Sequence, residues 1–369
     1  MASCEPTSPA CAGFFATWLG VITTTTVCYM SALGYYPKGS KPDEPGEAYL
    51  LERGIDLDFA SCHGLEIDQK PNSERIKKRL GGEIKIGDIP LSYVAKEIIW
   101  IPLRNAQGLN GEFIARPLPN LGGHKFLCAC NRGAPIYIPP LVYQNSSKPD
   151  QALIITEGPI KTLAIMQFGF YAVGLNGVWC STDKDEDTGR FTLRQELKAF
   201  DLRGRKVYIA FDADLATKSD VRHASIRLYL VLAICGAEVF QLTSWDESQG
   251  KGIDDLLVRE KSASPADTLQ ALINDAAPFD ETLNKNVLDV SMVSTELAKI
   301  EMPPPIRAHL AGKLGKKVGV PAEELRHSSK KEDEESSAQS NGFNAVYEPW
   351  AEEVNARQLF DLVKAQIVK

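Results

Sequence analysis

The sequence contains no Cys-x-x-Cys pair, although it carries 8 cysteines in 369 residues. Structural zinc sites need closely spaced thiolate pairs and stapled scaffolds need a dense cysteine framework, so neither class is indicated. The nearest pair, Cys128-Ala-Cys130, is expected to be two thiols in a reducing cytoplasm. No Gly-x-x-x-x-Gly-Lys-Ser/Thr loop occurs, so this chain supplies no P-loop for ATP hydrolysis. No lysine or arginine precedes Lys38, and the uncharged stretch from Ala10 to Tyr36 is broken by Thr23-Thr24-Thr25-Thr26 and by glycines. Its length would permit a membrane span, yet the flanking cations of a signal or topological anchor are missing. Residues 1–46 are therefore expected to form a leader with no membrane partner. An excess of basic charge is also lacking: the formal net charge is -7, part of it in the tail segment Lys330-Lys-Glu-Asp-Glu-Glu335. Any contact with nucleic acid must come from local patches.

What the chain does have is ordinary globular composition, 44% hydrophobic, over a length that suits two domains. After the Pro/Gly-rich break at 37–46, residues 47–150 read as an α+β domain. Glu47 to Ile55 forms an amphipathic turn or two ended by Gly54. Glu97 to Leu103 and Gly111 to Arg116 read as strands joined at Gly108, with a further short strand ending at Tyr137. From 151 to 262 the pattern alternates: strands 152–156, 170–175, 206–211 and 237–242, with helices 159–168, 191–200, 219–235 and 252–260. Such alternation predicts βαβ crossovers and a parallel sheet. Residues 263–326 read as helical, 327–345 as a disordered linker by composition, and 346–369 as the opening of a further segment.

The chemistry concentrates where apolar runs end. Ala152-Leu-Ile-Ile-Thr156 runs into Glu157-Gly158, and Lys206-Val-Tyr-Ile-Ala-Phe211 into Asp212-Ala-Asp214. In an open parallel sheet, reactive groups collect beyond the carboxyl ends of the strands. Glu157 suits a general base or a metal ligand; the plainer alternative is an acid at the start of the next helix. Asp212 and Asp214, two apart on an extended chain, point to one side and can share a cation. Asp254 and Asp255 follow the fourth strand, where they either reach the same ion or cap a helix. Clustered carboxylates are expected to repel one another in an empty site and to be relieved by Mg²⁺, with Mn²⁺ the alternative.

Basic residues complete the candidate site. Lys161 lies one turn into the helix after Glu157, where it either binds phosphate or balances the carboxylates. Gly174 and Gly177 end the second strand and either cradle phosphate or simply make a turn. Arg53, Arg104, Arg116, Lys125 and Arg132, interleaved with Trp100, Phe113 and Phe126, suit a template or nucleotide path. The run Lys77-Lys78-Arg79 reads as a solvated helix face.

In this order, Thr156-Glu-Gly158, the glycine loop 174–177, Phe211-Asp-Ala-Asp214 and Gly252-Ile-Asp-Asp255 resemble the Toprim domain of DnaG-type primases, topoisomerases and some nucleases. Val207 to Leu257 is similar to the Toprim-like domain of unknown function found in primase-helicases of phages and other mobile elements. Upstream, Tyr49 to Gly54, Ile99 to Leu103, Ala115-Arg116, His124 to Phe126 and Ile136-Tyr137 follow the order of the primase core. The resemblance implies an α/β Toprim (Rossmann-like) domain preceded by an α+β primase-core-like domain, with a helical C-terminal tail. It further implies a Mg²⁺-dependent nucleotidyltransferase acting in DNA replication on single-stranded DNA with nucleoside triphosphates, and a replicative helicase in cis or trans. Glu157, Asp212 and Asp214 would be catalytic and would hold metal, with Asp254 or Asp255 auxiliary, while Arg116 and Lys125 would hold phosphate. Two departures stand out: Lys161 replaces an acid that many such enzymes carry, and the zinc-binding module is missing. A Toprim nuclease using the same acids, and a non-catalytic DNA-binding module that recruits a helicase, remain the alternatives.

Overall fold

The computed structural model describes residues 45–327 except 87, 104–111, 120–124, 130–133, 217, 243–244, 246, 260–262 and 285–286. The leader up to 44, Arg104, Arg132, the turn at Gly108, the linker from 328 and the segment 346–369 lie outside the described residues. Among the described residues no helix is long and apolar enough to cross a membrane.

The first lobe begins with α1 (Pro45–Glu52) and α2 (Leu57–Cys62), the second capped by the Asp56 carboxylate, which accepts from the Phe59 N–H. Strand β1 (Glu66–Asp68) is followed by α3 (Ser73–Leu80), which Asn72 caps at one end and Gly81, at φ 70°, closes at the other. β2 (Glu97–Pro102) and β3 (Phe113–Leu118) are antiparallel, and β1 pairs with the free side of β2. Period-two alternation splits β2 between two cores. Ile98 and Trp100 pack with Ile76, Leu80 and Leu91, whereas Ile99 and Ile101 join the large core that continues into the second lobe. Within α3, Lys77 and Lys78 are exposed. Arg79 departs from the solvated face expected for it: its guanidinium lies 5.0 Å from the Trp100 ring and 4.2 Å from the Phe113 ring. A long stem with a flat cation covers aromatic surface well, which turns this arginine inward.

The second lobe is built on one sheet. Its strands are β4 (Ile136–Tyr137), β5 (Leu153–Glu157), β6 (Ala172–Leu175), β9 (Lys206–Ala210), β10 (Glu238–Gln241) and β11 (Ala277–Pro278), with the hairpin β7 (Thr182–Lys184) and β8 (Phe191–Leu193) set apart from it. The order across the sheet is β11-β10-β9-β5-β6-β4; the four central strands are parallel and the two edge strands antiparallel. The strand predicted to end at Tyr137 thus serves the second lobe's sheet rather than that of the first. The helices are α4 (Pro159–Met166), α5 (Ser219–Ile234), α6 (Ile253–Arg259), α7 (Pro265–Asp275), α8 (Val287–Lys299), α9 (Pro304–Val318) and α10 (Ala322–His327). Ile155, Val173, Val207, Ile209, Leu228 and Leu230 are fully buried between the layers, as continuous apolar strands require.

One predicted helix is absent. Residues 191–200 form β8 and a single 3-10 turn, Leu197–Ala199. Phe191 and Leu193 are buried while Thr192 between them is half-buried, a period-two pattern that pairs with β7 across the Asp185–Arg190 turn. The alternation overrides the helix formers that follow it.

The helices after β11 are tied to α5 by a buried carboxylate. Glu296 on α8 accepts from Arg227 Nε at 2.6 Å and Nη2 at 3.0 Å, and His223 Nε2 lies 2.8 Å away. Burial would raise the pKa of Glu296, but His223 and Arg227 together hold it below the usual carboxylate value.

Cys62 is disulfide-bonded, which departs from the expectation of free thiols throughout, while Cys128, Cys180 and Cys235 are free. Burial pushes the Cys128 and Cys180 thiols up to about 12. Because the thiolate is the reacting form, both should resist iodoacetamide in the native protein at mildly alkaline pH and react once it is unfolded. Mass spectrometry of alkylated peptides checks this; rapid native labelling of either would show that its environment is polar.

Candidate active site at the carboxyl edge of the sheet

The connection after β5 returns through α4 to β6 on one side, and the chain then crosses back to β9 on the other. The sheet order therefore reverses between β5 and β9, where an open α/β sheet forms its crevice. Ala210 stands opposite Thr156, so Glu157 and Asp212 leave neighbouring strands at the same edge. Thr156 Oγ1 donates to the Ala210 carbonyl at 2.9 Å and fixes the two strand ends together.

Beyond Glu157, Gly158 adopts φ 81°, ψ 162°, a conformation reserved for glycine, and Pro159 starts α4 with its preset φ. This turn is packed tightly against β6. A Cβ on Gly174 would stand 2.5 Å from both the Gly158 carbonyl oxygen and Thr162 Oγ1. Gly174 is therefore demanded by the approach of β6 to the turn, a packing role apart from any phosphate contact. Gly177, at φ 117°, turns the chain after β6, and its carbonyl accepts from the Cys180 N–H.

Asp212 is nearly buried, and Lys161 Nζ lies 2.7 Å from its Oδ1. Burial alone would lower the Lys161 pKa; Asp212, Glu157 and Asp254 reverse this and hold the ammonium above the usual lysine range. Asp214 does not continue the extended chain assumed in the period-two argument. It belongs to a 3-10 turn, Ala213–Ala216, because the Ala213 N–H bonds the Lys251 carbonyl and the Leu215 N–H bonds that of Asp212. Its side chain lies outside the described set.

Asp254 and Asp255 open α6 and meet the first lobe. Arg53 Nη1, from the turn after α1, lies 2.8 Å from Asp254 Oδ2 and 3.1 Å from Asp255 Oδ1. Burial opposes the charge on Arg53, but Asp254, Tyr49 and Asp255 raise its pKa above the ordinary value. The mutual repulsion expected among the carboxylates is thus already answered by two protein cations, Lys161 and Arg53. No sequence signal joined Arg53 to residues 201 and 202 positions away.

Arg116 sits on β3 and is 5% exposed, with its guanidinium 4.6 Å from the Tyr49 ring and 5.1 Å from the Phe126 ring; Nη1 donates to the Lys125 carbonyl at 3.0 Å. Burial draws its pKa below the ordinary arginine value. Its neighbour Lys125 is exposed. Of the predicted basic path, Lys125 thus reaches solvent while Arg53 and Arg116 hold the lobes' own carboxylates, carbonyl and rings.

The donors at the sheet edge are carboxylate oxygens, the ligand type Mg²⁺ prefers. Among the described residues no three His, Cys, Asp or Glu side chains form a group that could hold a metal ion. The oxygen donors of Glu157 and Asp212 suit Mg²⁺ by type, but the described residues alone do not complete a ligand set. Asp254 and Asp255, engaged by Arg53, do not fit as a second set.

Two substitutions test this geometry. Gly174→Ala drives a methyl into backbone and should lower stability by about 1–3 kcal/mol in chemical denaturation; an unchanged midpoint would mean that β6 can withdraw from the turn. Arg53→Ala leaves Asp254 buried without its partner. The loss should be about 1–2 kcal/mol, below that of a fully buried pair because Arg53 is 36% exposed. Asp254→Asn in the same chain should recover part of it.

A family model, a domain of unknown function (DUF3854), matches residues 142–264. No curated protein matches the sequence. Among solved structures, the fold is similar to the zinc-binding and RNA polymerase domains of the Aquifex aeolicus primase. That likeness has a TM-score of 0.51 at 19% identity and covers 82% of this chain and 74% of that one. The DnaG catalytic core matches with a TM-score of 0.48 at 19% identity, covering 77% of this chain and 94% of that one. A DnaG primase catalytic domain bound to single-stranded DNA matches with a TM-score of 0.45 at 18% identity, covering 78% and 92%. At such identity the likeness is one of fold: a mixed α/β architecture on a mostly parallel sheet, like that of a primase core.

Proposed function

We propose that this chain is a Toprim-type, primase-like nucleotidyltransferase of a mobile element that forms phosphodiester bonds on a single-stranded DNA template, in company with a replicative helicase. The observation that carries the reading is the pairing of Glu157 and Asp212 at the carboxyl edge of adjacent parallel strands, at the point where the strand order reverses. The primase-like fold supports it.

Glu157, Asp212 and Asp214 would hold a divalent ion, which when bound neutralises triphosphate oxygens and orients the phosphorus under attack. The chain's own residues do the rest. Glu157, half-buried at the strand end, would take a proton from an attacking hydroxyl. The Gly158 turn keeps side chains away from the reacting groups. Lys125 offers an exposed cation on the first lobe for template phosphate, and Arg116 supports the segment that carries it. Arg53 fixes the first lobe against the edge, so template and acids keep one spacing.

The test incubates the protein with single-stranded DNA, labelled ribo- or deoxyribonucleotides and Mg²⁺. Template-dependent products longer than the input are expected, and Glu157→Gln should slow their formation by about 10²–10⁴-fold while DNA binding persists. Shortened DNA would identify the nuclease instead, and no product of either kind the binding module.

A further inference from the structure

We propose that Trp179 is a stacking platform for the base of a nucleoside triphosphate at the carboxyl edge of the sheet. The inference rests on the nucleotidyltransferase reading above and names the residue that holds the incoming base.

Placement is the first observation. Leu175, the last residue of β6, stands opposite Glu157 in the sheet, and the Gly158 N–H donates to its carbonyl at 2.6 Å. The chain that leaves β6 therefore leaves beside Glu157. It turns at once: the Cys180 N–H bonds the Gly177 carbonyl at 3.0 Å, and Cys180 Sγ donates to the Asn176 carbonyl at 3.2 Å. Trp179, half-buried, is carried on this turn. Its ring meets the first turns of α5, with the His223 ring centred 5.3 Å away at 75° and the Arg227 guanidinium 4.5 Å from the indole centre. α5 is the helix reached from Asp212 through the 3-10 turn Ala213–Ala216. The indole thus bridges the chain that leaves the sheet beside Glu157 and the helix entered after Asp212.

The second observation is how the ring is held. Both cationic partners from α5 end on one carboxylate, Glu296, whose side chain is 0% exposed: Arg227 Nε lies 2.6 Å from it and His223 Nε2 2.8 Å. The Arg227 guanidinium also lies 3.8 Å from the Phe191 ring, so it is held between two aromatic side chains. A buried ion cluster adds little net stability over apolar packing, because desolvation offsets the attraction. It does fix geometry, and here it sets the plane of the indole before any ligand arrives. A base that stacks on such a ring meets a surface already ordered, and stacking accepts any base because each has a π-face.

The experiment measures equilibrium binding of ATP, inorganic tripolyphosphate and a single-stranded oligodeoxyadenylate to the full chain, as wild type, Trp179→Phe and Trp179→Leu. Trp179→Leu should weaken ATP binding by about 5–100-fold. Trp179→Phe, which keeps a ring, should lose far less, and tripolyphosphate, which has no base, should bind all three alike. Unchanged ATP affinity in Trp179→Leu overturns the proposal, as does an equal loss of tripolyphosphate. A loss confined to the oligodeoxyadenylate also overturns it, because the ring would then hold a template base. Should Trp179→Leu fail to fold, 8-azido-ATP is photo-crosslinked to the wild type: label on the peptide carrying Trp179 supports the platform, and label confined to other peptides overturns it. The two readings fail separately. A wild type that makes no product, yet loses ATP affinity on Trp179→Leu, removes the transferase function alone; a productive wild type whose Trp179→Leu variant keeps its ATP affinity removes the platform alone.

Discussion

Charge compensation at the carboxyl edge of the sheet governs much else in this molecule. Parallel strands covered on both faces deliver their last residues to one edge, where like charges a few ångströms apart and partly out of water cost more than at an open surface. Here the acids do not wait for an external ion. Lys161 reaches back from the first turn of α4 to Asp212, and Arg53 reaches across from the other lobe to Asp254 and Asp255. The Arg53 pairs therefore also tie the first lobe to this edge. Gln167 reinforces the joint, its amide donating to the Gly54 carbonyl at 2.6 Å and accepting from the Asp56 N–H at 3.1 Å.

Cations can sit so close to the acids because the backbone around them is bare. Gly158 frees the turn after β5, Gly174 lets β6 close on it, and Gly252 lies close beside the end of the lysine stem. Each glycine loses conformational freedom on folding.

The parts legible in the sequence were those governed by local period. Leu153 to Thr156 and Val207 to Phe211 announce buried strands, and their ends place Glu157 and Asp212 without reference to distant residues. Where tertiary contacts decide, the sequence was silent or misleading. Arg53 and Arg116 look like solvent-facing members of a basic path, yet one finds carboxylates about two hundred residues downstream and the other lies between Tyr49 and Phe126. An arginine's stem and planar head serve phosphate, carboxylate or aromatic ring equally well, and composition does not say which partner folding will supply. The helix expected at 191–200 failed for a related reason: the alternation of Phe191, Thr192 and Leu193 is short, and only its pairing with β7 makes it a strand. Asp214 turned away from the extended chain because Lys251, from another loop, supplies the acceptor that starts its turn.

The shared strand β2 has a further consequence. Its odd-numbered isoleucines, Ile99 and Ile101, belong to the core under the large sheet, while Ile98 and Trp100 close the smaller core against α3. Neither core can dissolve and leave the other whole, because loss of either strips one face of the same backbone and wets the ladder that joins β1, β2 and β3. The two lobes are thus expected to unfold as a single cooperative unit. Amides of β2 and its partners in the first lobe would then exchange only with the opening of the larger core.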